Sequence, residues 1–351
     1  MSAFAHDAAD PKWVANFVEV FKLCGVQRGD ACAILSESQS RPVLIRLSEL
    51  ALAQLGARWF HMSLPTPRQS VPVPVRSTGA SDAIAGLGPV VQALAASVFI
   101  ADCTVEGLQH AAELPAILKG GARVLAISNE HPEILERCLP RAEDEAQVRD
   151  AMRRLKGVAE MRVTSAAGTD LRISLGGARI GGVWGFTTRP GSLSHWPGGL
   201  VLAFPAAGSV AGRLVLAPGD VNLTFKRYLA DAVTLEIESD HVARIVGTSV
   251  DADLMRGYFA AWGKDAQDRA AYATSHVGWG LNRAARWDAM TFYDKADFNG
   301  TELRAFAGNF LYSTGANEVA GRHTLGHFDL PLRGCTVTLD GMAVVDQGVL
   351  L

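Results

Sequence analysis

Through about its first 155 residues the chain alternates apolar strand-like runs with helical ones, and few architectures accept that rhythm. Trp13 to Val26, "WVANFVEVFKLCGV", places apolar residues at helical spacing; "DACAILSES" follows as a strand, and "RPVLIRLSELALAQLG" is a helix closed by Gly56. "ARWFHMSLP", "ASVFIADC" and "ARVLAISN" are further strand candidates, with "PVVQALAA" and "LPAILKGG" as helices between them. Such alternation favours a parallel sheet covered by helices. No GxGxxG follows the first strand and no P-loop pattern occurs, so nucleotide binding has little support here. This half is expected to be a scaffold or one side of a substrate cleft.

The charged stretch "LPRAEDEAQVRDAMRRLKG", Leu139 to Gly157, is a helix with a solvated face and a natural joint. Beyond it the rhythm changes. "EMRVTSAAGTDLRISLGG", "GGLVLAFP", "GRLVLAPGDVNL" and "AVTLEIESDHVARIVG" are strands separated by Gly, Pro and Asp turns. One helix, "DADLMRGYFAAWGKD", follows with Asp251 or Asp253 as its cap, and Asp340-Gly341 near the end is a hairpin signal. The spacing predicts an α/β (Rossmann-like) domain over 1–155 and an α+β, strand-rich, metal-binding catalytic domain over 156–351. No internal repeat is evident.

Composition narrows the partners. The chain is 48% hydrophobic and 20% charged with a formal net charge of -3, and it has no run of Lys or Arg. Nucleic acid and anionic membrane surfaces are poor partners for such a chain. The longest apolar region, Leu87 to Cys103, is interrupted by Pro89 and Gln92 and is too short to span a bilayer. The N-terminal stretch lacks the apolar core of a secretory signal, and the five cysteines (Cys24, Cys32, Cys103, Cys138, Cys335) include no close pair. A cytoplasmic protein without a disulfide framework is expected, and a homo-oligomer is allowed.

The chemistry gathers in the second half. Four of the nine histidines, His195, His276, His323 and His327, lie there beside Gly, Trp or Pro. In "GHFDLPLRG", His327 and Asp329 are two apart on an extended segment and so share a face. In "TSHVGWGLN", Gly278 and Gly280 flank His276 and permit close backbone approach. Taken alone, each is as readily a surface pair or a buried core histidine. Together, two imidazoles and one carboxylate with positions left open are the donor set of mononuclear non-haem Fe(II) oxygenases.

"SHWPGG", "VTLEIE", "SHVGWGLN", "GNFLYSTG" and "HFDLPLRG" together resemble the 2,5-dihydroxypyridine 5,6-dioxygenases, whose fold is shared with M29-type thermophilic metalloaminopeptidases. The similarity is dense from about Met161 to Val345 and diffuse before it. The resemblance implies Fe(2+) held by His276, His327 and Asp329, with catalytic His195 in the substrate pocket, and Ser313 there to bind substrate. It implies His110, upstream of "ILKGG", as a second catalytic histidine across a gap in the match. It further implies a small heterocyclic substrate and O2 as partners, with 2,5-dihydroxypyridine opened to N-formylmaleamate. Val183 stands at a substrate-binding position where the family carries a glutamate, which points to a different ring edge. The rivals are a metallo-aminopeptidase-like hydrolase and a binding protein with a vestigial site.

Other candidates fit blander roles. His323 is expected in a loop, Glu236 and Glu238 on a solvated strand face, Asp170 at a turn, and Cys335 buried and inert. His6, His61, His131 and His241 have no companions that suggest a site.

Overall fold

The computed structural model describes residues 8–72, 81–263, 267–295 and 299–351; His6 lies outside them. The alternating half forms a parallel sheet. Its strands, in spatial order, are Arg58–Leu64, Ala31–Glu37, Phe99–Asp102, Arg123–Ala126 and Ser192–His195. Successive side chains of a strand face opposite ways. Cys32 and Ile34 accordingly join one apolar cluster with Phe17, Phe21 and Leu47, while Ala33 and Leu35 join another with Leu94, Ile100 and Ile117. A sheet covered on both faces needs apolar residues at both parities, which is why these strands read as runs. The helix Pro11–Leu23 begins with Asp10 accepting from the Lys12 amide at 2.9 Å, and Pro42–Leu55 ends at Gly56 in the left-handed region.

The fifth strand of this sheet, Ser192–His195, comes from beyond residue 155. Four residues later, Leu200–Phe204 enters a different sheet. That second sheet is antiparallel, in the order Phe328–Leu332, Phe310–Thr314, Thr274–Gly280, Leu200–Phe204, Arg179–Val183. A third, eight-stranded antiparallel sheet runs from His241–Val246 at one edge to Val349–Leu350 at the other. The two antiparallel sheets share one core, in which Val277, Trp279, Tyr312 and Leu330 meet Leu171, Leu214, Leu235 and Val337. Gly278 is required at the sheet centre, since a Cβ there would stand 1.9 Å from the carbonyl oxygen of Val201.

The strand-rich architecture of the second half matches its expected class. One local expectation fails: the helix Val250–Trp262 is capped by Ser249, whose hydroxyl accepts from the Ala252 amide, and not by Asp251 or Asp253. Asp251 is instead buried, accepting from Asn222 and pairing with Arg227. The Asp340-Gly341 turn is present, both residues having positive φ between Cys335–Leu339 and Met342–Asp346. Among the described residues no helix is long and apolar enough to cross a membrane.

Candidate metal centre

Three neighbouring strands of the second sheet set one row of side chains. His276 on Thr274–Gly280 is opposite Ser313 on Phe310–Thr314, which is opposite Asp329 on Phe328–Leu332. Residues directly opposite one another project from the same face. The row depends on a β-bulge between Thr274 and His276. With regular pairing from Thr274 and Thr314, Ser275 would oppose Ser313, and His276 would point to the other face; the extra residue re-aims the imidazole. Adjacent strands are about 4.8 Å apart, so an imidazole and a carboxylate two strands apart can converge only over a small residue between them. Ser313 is that residue, and its hydroxyl donates to Asp329 Oδ1.

His327 enters the same face from two residues before Asp329. Its backbone is gripped by Tyr258, whose hydroxyl donates to the His327 carbonyl at 2.7 Å and accepts from its amide at 2.8 Å. Nε2 of His327 lies 3.2 Å from Asp329 Oδ1, and Nε2 of His276 lies 3.8 Å from the same oxygen. All three side chains are buried, and their donor atoms lie within 4.8 Å of one another. Ser275 Oγ donates to the Ala316 carbonyl at 2.5 Å and so accepts from His276 Nδ1 at 3.1 Å, leaving the lone pair on Nε2, toward Asp329. Among the described residues, Nδ1 of His327 is buried without a partner.

Burial pushes the His276 imidazole down to about 3, aided by His327, so the ring is neutral. Burial alone would raise the Asp329 carboxyl, but the His327 ring and the Arg304 guanidinium outweigh it and hold it well below the usual range. Arg304 Nε donates to Asp329 Oδ2. Two buried imidazoles and one ionised carboxylate, convergent on one point, fit a divalent first-row metal with coordination positions to spare.

The facing wall comes from the carboxyl edge of the parallel sheet, where ligands of open α/β sheets sit. His195 ends the strand Ser192–His195, and its Nδ1 donates to the Pro197 carbonyl at 2.7 Å, so Nε2 is the basic nitrogen. Burial lowers this ring to about 4 despite that bond. His110 lies in the loop after Phe99–Asp102, its ring centroid 4.8 Å from that of His327; burial first, then the His327 and His276 rings, keep it well below its ordinary value. Asp102 organises the loop, accepting from the Thr104 amide at 3.0 Å, the Thr104 hydroxyl at 2.6 Å and the Leu108 amide at 2.8 Å.

A cavity joins the walls. It is lined by the three candidate ligands with His110, His195, Arg304, Asn299 and Glu106, among others. Of the residues expected from sequence, His276, His327, Asp329, His195 and His110 therefore meet. Ser313 is buried beside Asp329 rather than along the cavity, and Val183, opposite Leu200 on the edge strand of the same sheet, packs against Leu200, Leu202 and Leu311 outside the cavity lining. Among the described residues, the carboxylates that line the cavity are Glu106 and Asp329. His323 is exposed and outside the cavity lining, Glu236 pairs with Arg244, and Asp170 pairs with Arg162. Arg304 and Asn299 were not anticipated. The signal in "FNGTELRAF" was an arginine between Leu303 and Ala305, both buried, where a solvated charge is out of place.

A family model described as NicX, 2,5-dihydroxypyridine 5,6-dioxygenase, matches residues 12–351. A 2,5-dihydroxypyridine 5,6-dioxygenase of Pseudomonas putida KT2440 is 36% identical over 336 residues, covering 95% of this chain and 94% of the relative. The solved structure of the 2,5-dihydroxypyridine dioxygenase from Pseudomonas putida KT2440 superposes with a TM-score of 0.89 at 34% identity, over 97% of this chain and 96% of the other. AmpT from Thermus thermophilus superposes with a TM-score of 0.63 at 13% identity, over 96% and 99%, a likeness of fold alone.

Proposed function

Because the chain belongs to the 2,5-dihydroxypyridine 5,6-dioxygenase family and is a ring-cleaving dioxygenase, we propose that it opens 2,5-dihydroxypyridine to N-formylmaleamate in the cytoplasm. The balance closes without a further reductant: the ring and one O2 together make the product, which keeps both oxygen atoms. His276, His327 and Asp329 would hold one Fe(II), which supplies affinity for O2 and the Lewis acidity that eases a proton off a substrate hydroxyl. The observation that carries this reading is the His276–Ser313–Asp329 row, with His327 beside it and a single carboxylate in the cluster.

The protein's own groups then have separable tasks. His195 accepts the hydroxyl proton at Nε2, since its Nδ1–H is committed to Pro197 and the ring begins neutral. The proton taken up by His195 returns to the opened chain, regenerating the base, and His110, also neutral and in the same cavity, is placed to relay it. Ser313 and Arg304 hold one oxygen each of Asp329, fixing the carboxylate in place. Leu200, Leu202 and Leu311 line the cavity with hydrocarbon, and Val183 extends that apolar surface from the edge strand. A two-metal hydrolase would need several bridging carboxylates, and the cluster among the described residues has one.

The test is oxygen uptake by protein loaded anaerobically with ferrous salt. One O2 should be consumed per 2,5-dihydroxypyridine, with a product heavier by two oxygen atoms. Iron binding with no uptake across a panel of hydroxypyridines would return the chain to a binding role.

A further inference from the structure

We infer that Asn299 is the group by which the cavity recognises a ring N–H, so that the ligand class is a lactam-type N-heterocycle and not any para-dihydroxy ring. This rests on the proposed function and adds to it a residue and a tautomer. Asn299 lines the cavity and is 6% exposed, and among the described residues its carbonyl oxygen Oδ1 is buried with no hydrogen-bond partner. A buried acceptor left unpaired is costly, and native structures rarely keep one unless something else fills it.

Asn299 is held by its backbone surroundings. The next residue, Gly300, has φ of 94°, in the left-handed region that favours glycine. The amide after that, Thr301, donates to buried Glu130 at 2.6 Å. The residue is thus held at the cavity wall, and among the described residues its side-chain oxygen is uncommitted.

The chemistry of the lining assigns the ligand. His195 offers a basic nitrogen, which suits a proton that must leave. A carboxamide oxygen accepts a hydrogen bond without taking the proton, so it suits an N–H that must stay. A primary amide offers an acceptor and donors side by side. A lactam offers the reverse, N–H beside C=O, and 2,5-dihydroxypyridine presents that pair in its pyridone form. The carbocycle hydroquinone has the same two hydroxyls and no ring N–H.

Anaerobic titration of Fe(II)-loaded protein with 2,5-dihydroxypyridine and with hydroquinone tests this without requiring turnover. Wild-type protein should bind the heterocycle about ten- to a hundredfold more tightly, the worth of one buried hydrogen bond left unmade. Asn299→Ala should lose most of that preference by weakening 2,5-dihydroxypyridine alone, with iron content unchanged. An Ala variant that keeps the preference, or weakens both ligands equally, overturns the inference. If that variant does not fold, wild-type protein alone decides, since equal binding of the two rings overturns it as well. Tight, Asn299-dependent binding with no oxygen uptake would uphold this inference and sink the proposed reaction. Efficient oxygen uptake with an unchanged preference in Asn299→Ala would do the reverse.

Discussion

On one side of the cavity, His276 and Asp329 are set by the register of three hydrogen-bonded antiparallel strands. On the other, His195 ends a parallel strand and His110 rides a loop pinned by Asp102. The difference follows what each wall must do. Donors that share an ion must meet within a few tenths of an ångström, and a strand ladder with one bulge provides that. Proton carriers need only reach their substrate, so a strand end and a braced loop suffice.

The sharpest way to break the comparison is His276→Ala, which removes a donor set by register: metal content measured on purified protein should drop to background along with turnover. Asp329→Ala should do the same, and retention of iron by either variant would show that the strand row does not hold the metal. His195→Ala attacks the other wall. It should keep full metal and lose about 10²- to 10⁴-fold in turnover; loss of iron in step with activity would move His195 into the ligand set.

Ser313→Ala should fall between these, lowering metal affinity by about 10- to 100-fold as an outer partner of Asp329, read by competition with a chelator. Asp102→Asn loosens the His110 loop and should leave metal affinity unchanged while reducing kcat, at a stability cost of about 1–3 kcal/mol in urea unfolding.

The smallest effect is one the walls share. His195 and His276 are neutral when folded, at about 4 and about 3, against an ordinary 6.5. The unfolded chain binds more protons between those values, so metal-free protein should lose stability as pH falls from about 6.5 toward 3. Urea titrations across that range would show it, and a flat profile would mean the two rings are not buried neutral.

Much of the metal wall was legible because its signals are local. An HxD on an extended segment must share a face, and the glycines around His276 announce a crowded strand. The bulge was not legible, since it exists only between strands, and with it went the reason Ser313 is small and bonded to Asp329. Ser192–His195 was also hidden as a member of the parallel sheet: "SLSH" has neither the apolar run nor the alternation that marks a strand. Arg304 and Asn299 sit in and just before a five-residue helix, Thr301–Ala305, too short for periodicity to register. The Ser249 cap lost out to two acidic neighbours that looked equally able from sequence, until burial claimed Asp251 for Asn222 and Arg227.

The passage from Ser192–His195 to Leu200–Phe204 ties the two sheets together with only residues 196–199 between them. A fragment cut at residue 155 would therefore leave the strand Arg123–Ala126 with a bare edge, a row of unpaired amides and carbonyls that invites association with other chains. The unit that could be transplanted between relatives is not a contiguous stretch. Any graft of the first half must bring residues 192–195 with it, and with them His195, so a chimera that inherits the scaffold inherits the base as well.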